Sequence, residues 1–142
     1  MAVSKRNILS WMVLVLVFYI FYNDFLLFTI EGKTNAVEKA VQDAISKSGY
    51  KDLELSSISE YHCPRDPGQD YKEVRTLHCS ASAVFTDGTS ADVSIEQKEF
   101  RNTYIRSGRK EMNTYKIIFS VTVRELDPNV RGVSSISKII KL

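Results

Sequence analysis

The sequence predicts an α+β protein. A single N-terminal transmembrane helix is followed by an amphipathic helix packed on an antiparallel sheet of about four strands. Three observations carry this expectation. Residues 8–30 are almost entirely apolar, with one Asn-Asp pair inside them. Val37, Ala40, Val41, Ala44 and Ile45 recur at helical spacing and form one stripe. Segments further on alternate apolar and polar residues with the period of a strand.

Residues 8–22 alone make a helix of about 22 Å, too short for a hydrocarbon core of roughly 30 Å. Extending it to Ile30 gives about 34 Å, which spans. Asn23 and Asp24 then fall in its last third. A carboxylate at the bilayer centre costs roughly 2.5–3.5 kcal/mol and less near the interface, so the surrounding Leu, Val, Ile and Phe outweigh it. The pair is expected at the outer interface, with hydrogen bonding to another membrane helix as the sharper reading. A cleaved signal peptide needs small residues after its apolar core, and here that region is bulky and aromatic. An uncleaved anchor is therefore expected. Lys5 and Arg6 precede it, which leaves residues 1–7 cytoplasmic, 8–30 in the inner membrane and 34–142 as an extracytoplasmic, periplasmic domain.

Glu31-Gly32-Lys33 is expected to break the anchor helix. Asn35 and Glu38 suggest a capping box for the next helix, with Gly49 as its stop. Strands follow at residues 53–61, 74–85, 89–95 and 115–123. Between the second and third lies Thr86-Asp87-Gly88. A two-residue turn there sets Ala83 against Asp92 and mixes the faces. A three-residue loop with Gly88 in the left-handed region sets Phe85, Ala83, Ala81 and Cys79 against Thr89, Ala91, Val93 and Ile95, so the three-residue loop is expected. Phe100, Asn102 and Tyr104 suggest that the third strand continues to a turn at Ser107-Gly108. Asp127-Pro128-Asn129 ends the last clear strand. Residues 134–142 read as either a short helix capped by Ser134 or Ser135 or a final edge strand, with the helix preferred.

His62-Cys63 and His78-Cys79 hold every histidine and cysteine of the chain. A Cys63–Cys79 disulfide is expected; it closes a loop of about 15 residues, worth roughly 3 kcal/mol, and suits an oxidising compartment. A zinc site and a Cys-His nucleophile are the other readings. Zinc-type spacing and an orienting third group are both missing from the pattern. The disulfide requires residues 64–72 to form an excursion rather than a tight hairpin, because a hairpin turning at Pro67-Gly68 would leave the two cysteines over about 20 Å apart.

The net charge of +2 gives no global field for nucleic acid. No phosphate-binding loop, nucleophile elbow or His-Glu-x-x-His motif occurs. Glu54, Glu60, Asp92, Glu96 and Glu99 read as mostly solvent-side. No Asn-x-Ser/Thr acceptor is present, which leans towards a bacterial or phage protein. No cofactor and no metal are expected. The expected function is a non-enzymatic envelope interaction protein, an accessory subunit of a secretion, conjugation or assembly complex. The alternative is a phage- or plasmid-encoded membrane regulator or inhibitor of lysis, entry or an effector. An enzyme using the Cys-His pairs or surface carboxylates is the third reading. The expected partners are the lipid bilayer and envelope proteins. Candidate contacts are Asn23 and Asp24 in the anchor, Arg65 and Asp66 in the Cys-closed loop, and Arg101, Tyr104, Arg106, Arg109 and Lys110 around the Ser107-Gly108 turn.

Overall fold

The computed structural model describes residues 4–48, 53–123 and 130–138. Helix α1 (Lys5–Leu27) is long and apolar enough to cross a membrane, and none of its first 18 residues is buried against the rest of the chain. Helix α2 (Ile30–Ser48) follows after a break at Phe28 and Thr29. The break lies earlier than Glu31-Gly32-Lys33, and the Asn35–Glu38 capping box is not used, because the helix already runs through it. Thr29 is the start signal instead: its hydroxyl accepts from Gly32 N–H at 3.3 Å and its carbonyl from Lys33 N–H at 3.0 Å. The expected stop at Gly49 lies outside the described residues.

Five strands form one antiparallel sheet in chain order: β1 (Leu55–His62), β2 (Val74–Phe85), β3 (Ser90–Arg106), β4 (Arg109–Val123) and β5 (Arg131–Ser137). Helix α2 lies on one face. Its stripe Ala36, Val37, Ala40, Val41, Ala44 and Ile45 packs on Ala83, Phe85, Val93, Ile95, Ile117, Phe119 and Val121, and this layer is the core. The β2–β3 register sets buried apolar residues against each other on one face: Cys79 pairs with Ile95, Ala81 with Val93 and Ala83 with Ala91. The three-residue loop closes it. Phe85 N–H donates to the Thr89 carbonyl at 2.9 Å, and Gly88 sits at φ 87°. The Thr89 hydroxyl and amide both donate to Asp87, holding that carboxyl below its ordinary range.

The C-terminal segment takes the second of its two expected forms. Residues 131–137 are an edge strand rather than the preferred helix, and they raise the count from about four strands to five; residues 139–142 lie outside the described residues. Strand β4 has an edge whose backbone groups need partners, and β5 supplies seven register pairs from Lys116↔Ser137 to Thr122↔Arg131. Serine adds little to helix propensity, and Ser134 acts as a packing residue rather than a cap. Its hydroxyl donates to the Ala36 carbonyl of α2. Two of the strand's three inward residues, Gly132 and Ser134, are small, so α2 approaches it backbone to backbone there, with Gly132 buried beneath Ala40 and Ala44 and Ile136 packed against the core. The expected strand end at Asp127-Pro128-Asn129 lies outside the described residues.

Candidate functional site

Strand β1 is irregular. Its register against β2 shifts between Leu55 and Ser57 and again between Ser59 and His62, where Glu60 takes a left-handed φ of 56°. The second bulge re-aims the chain, so that Ile58, Tyr61 and Cys63 all pack against the core. Cys63 then meets Cys79 across the strands, with 4.2 Å between Cα atoms, and the two are joined in a disulfide. Residues 64–72 form the expected excursion, carrying a 3₁₀ turn at Pro67–Gln69 whose N-cap is Asp66, accepting from Gly68 N–H at 3.2 Å.

Beside the disulfide lies a buried polar cluster. Strand β3 keeps its phase after Ile95, so Gln97 and Glu99 face inward and are 0% and 2% exposed. The Tyr61 hydroxyl donates to Gln97 Oε1, and Gln97 Nε2 donates to Glu99 Oε1 at 2.9 Å. Arg75 of β2 donates through Nε and Nη2 to Glu99 Oε2. Lys33 of α2 approaches Glu99 Oε1 at 4.0 Å, and Arg75 Nη1 also lies 3.6 Å from Asp70. The expectation that Glu99 faces solvent is thus corrected. It is a buried carboxylate between two cations from different elements, and it ties α2 to the sheet. With every oxygen engaged, it is a fixed acceptor rather than a base open to substrate.

Burial, reinforced by the Glu99 charge, holds the Tyr61 phenol well above its ordinary value near 10. The folded chain therefore keeps this proton when the unfolded chain loses it. Below pH 10 the group leaves stability unchanged, and above pH 10 stability falls as pH rises. At pH 11 the loss is on the order of 1 kcal/mol. Denaturant unfolding from pH 9 upward is expected to show Tyr61→Phe less stable at pH 9 by about 1 kcal/mol, from the lost hydrogen bond. The difference should shrink or reverse by pH 11. Parallel curves for the two proteins would contradict the burial of that phenol.

Arg101 works beside this cluster. Its Nη2 donates to the carbonyls of Gln69 at 3.0 Å, Asp70 at 3.1 Å and Lys72, so it clamps the disulfide-closed loop onto β3. Desolvation and the neighbouring Arg75 push its guanidinium below the ordinary value. Arg65 points outward and approaches Asp70 at 3.5 Å.

Beyond Phe100, the last β3 residue paired with β2, β3 and β4 continue alone as a two-stranded arm from Arg101↔Thr114 to Arg106↔Arg109. Its turn, Ser107-Gly108, has φ of 52° and 76°, the left-handed pair that a tight hairpin requires. Tyr104, Ile105, Arg106, Arg109 and Lys110 are all exposed there. The Tyr104 hydroxyl donates to Glu111 at 2.7 Å, and that bond keeps the phenol above its ordinary value.

The sheet face opposite α2 carries a shallow concavity of about 740 Å³, lined by His78, Ser80, Glu96, Ser120, Thr122 and Val133 among others. Among the described residues, no group of His, Cys, Asp and Glu is placed to hold a metal ion. Both cysteines are consumed by the disulfide.

The structure thus joins two of the sequence-predicted groups. Arg101 links the Arg65–Asp66 loop to the base of the arm that carries Tyr104, Arg106, Arg109 and Lys110. Asn23 and Asp24 lie in the last turns of α1, and their side chains fall outside the described residues. Sequence reasoning missed Lys33, Tyr61, Arg75 and Gln97. The one signal for Gln97 and Glu99 was strand parity, continued two positions past Ile95. Comparison with known proteins finds no matching family model, no similar curated protein and no similar solved structure.

Proposed function

We propose that the chain is a single-pass, membrane-anchored interaction protein of a bacterial envelope. It serves as a non-enzymatic accessory subunit of a secretion, conjugation or assembly complex. The observation that carries this reading is the join of two unlike parts. Helix α1 exposes Trp11, Val15, Phe18, Tyr22 and their neighbours on every side, and it runs within two residues into a disulfide-closed domain. A helix with apolar residues all round is suited to lipid, and a disulfide is suited to an oxidising compartment. Lys5 and Arg6 before the span favour a cytoplasmic N-terminus and a periplasmic domain.

Within this reading the domain presents three surfaces: the disulfide-closed loop, the basic arm and the polar open face of the sheet. Arg101 holds the loop to the base of the arm, which lowers the ordering cost of binding at the loop. The test is cross-linking in intact host membranes, followed by mild detergent extraction of the full chain. A partner at fixed stoichiometry, lost when the arm or loop is altered, is the expected result. A chain that migrates alone after cross-linking contradicts an accessory-subunit role.

A further inference from the structure

We infer that the β3–β4 arm lies on the bilayer that α1 crosses, with its cations on lipid headgroup phosphates. The inference rests on the membrane-anchor reading above. Contacts along α2 fix the direction of the arm. Gly132 lies beneath Ala40 and Ala44, and its register row continues through Val121 to Ile95. Ser134 meets Ala36, and its row runs through Phe119 to Gln97. Lys33 meets Glu99. Lys138 Nζ stands 5.4 Å from the Phe28 ring centroid and 2.9 Å from Asn113 Oδ1, and Asn113 pairs with Asn102.

Walking back along α2 towards α1 is therefore walking forward along β3. The level of Phe28, the first residue after α1, is the level of Asn102. Residues 103–112 continue past it, on the side of the domain where α1 leaves. Four residues of strand extend about 13 Å. A headgroup layer is roughly 6 Å deep. The arm is long enough to reach it.

The composition of the tip suits that place. Ile105 is 79% exposed and Tyr104 is 41% exposed, beside Arg106, Arg109 and Lys110. An aromatic ring, a bare aliphatic side chain and long cations make an interfacial set, and the cations can extend to phosphate while their stems lie on apolar surface. Glu111, the carboxylate paired with Tyr104 across the arm, already accepts from its hydroxyl. In water Ile105 stays exposed and gains nothing from burial. At an acyl boundary it gains that burial.

The test uses the full chain in vesicles of phosphatidylcholine and phosphatidylglycerol that include lipids brominated on the upper acyl chain. Trp11 is the chain's one tryptophan, so wild type reports on α1, and Trp11→Phe with Ile105→Trp reports on the arm. The arm indole is expected to be quenched by brominated lipid and shielded from acrylamide. Changing Arg106, Arg109 and Lys110 to Gln should weaken the contact roughly fivefold per cation at low salt and abolish the quenching. These positions lie outside the core, and near-ultraviolet circular dichroism of the intact disulfide domain checks that it stays folded. An arm indole open to acrylamide, with Trp11 still quenched, overturns the inference and leaves the anchor standing. An arm indole shielded from acrylamide but not quenched by lipid also overturns it, and assigns the arm to a protein surface. Loss of quenching at Trp11 as well means the anchor reading itself has failed.

Discussion

Replacing Gly132 with alanine is expected to lower the melting temperature of the disulfide-closed domain by roughly 15 °C. A Cβ at that position would stand 2.0 Å from the Ala40 carbonyl oxygen, 2.8 Å from Ala44 N and 3.0 Å from the Ala40 carbonyl carbon. All three are backbone atoms of α2, so no side chain can turn aside. Either α2 lifts from the sheet or β5 peels from β4. Overpacking of side chains costs typically about 1–3 kcal/mol, and a backbone clash belongs at the top of that range or above it. Gly68→Ala is the control: its Cβ would meet only Asp66 Oδ1, at 3.4 Å, in an exposed turn. Thermal unfolding of both variants under non-reducing conditions makes the comparison. Equal melting temperatures would mean that α2 does not rest directly on β5.

The second large effect is expected at Glu99. Glu99→Ala removes the acceptor of Arg75, Lys33 and Gln97 together. Breaking one side of a buried ion pair costs about 3–5 kcal/mol. The lower end applies here, because the Arg75 and Lys33 side chains are 25% and 23% exposed and Asp70 remains beside Arg75. Glu99→Leu combined with Arg75→Met should recover part of that loss, since replacing both partners by apolar groups is often neutral while the Gln97 amide and Lys33 still lose their acceptor. Chemical denaturation gives both numbers. A single-variant loss below about 1 kcal/mol would place the pair in the class of solvent-screened surface bridges.

These two sites show where the sequence was and was not legible. The β2–β3 register was readable because only one pairing buries Ala81, Ala83, Val93 and Ile95 together, and a one-residue slip turns all of them to water. The excursion at residues 64–72 was readable because a disulfide imposes a distance that a tight hairpin cannot meet. The α2 stripe was readable from its period. Strand β5 was readable only as the less favoured alternative to a helix, because Gly132 and Ser134 face inward while Val133 faces out, which inverts the usual apolar-in pattern. Their smallness is required by contact with the backbone of α2, a tertiary fact with no local signature. Glu99 was missed for a related reason. A charged residue in the inward phase of a strand reads as solvent-side until its partners are known, and Arg75 and Lys33 lie 24 and 66 positions away. The arm was half visible: the Ser107-Gly108 turn and its cations stood in the sequence, but the end of the molecule from which they project did not.

The central claim is that α1 stays attached and holds the domain on the oxidising side of a membrane. The measurement that tests it most directly is the intact mass of the chain extracted from bacterial membranes, after thiol alkylation with and without prior reduction. The expected result is a full-length mass with no alkylation until reductant is added, and then two additions, at Cys63 and Cys79. A chain that begins after residue 30, or two thiols that react without reductant, would contradict it.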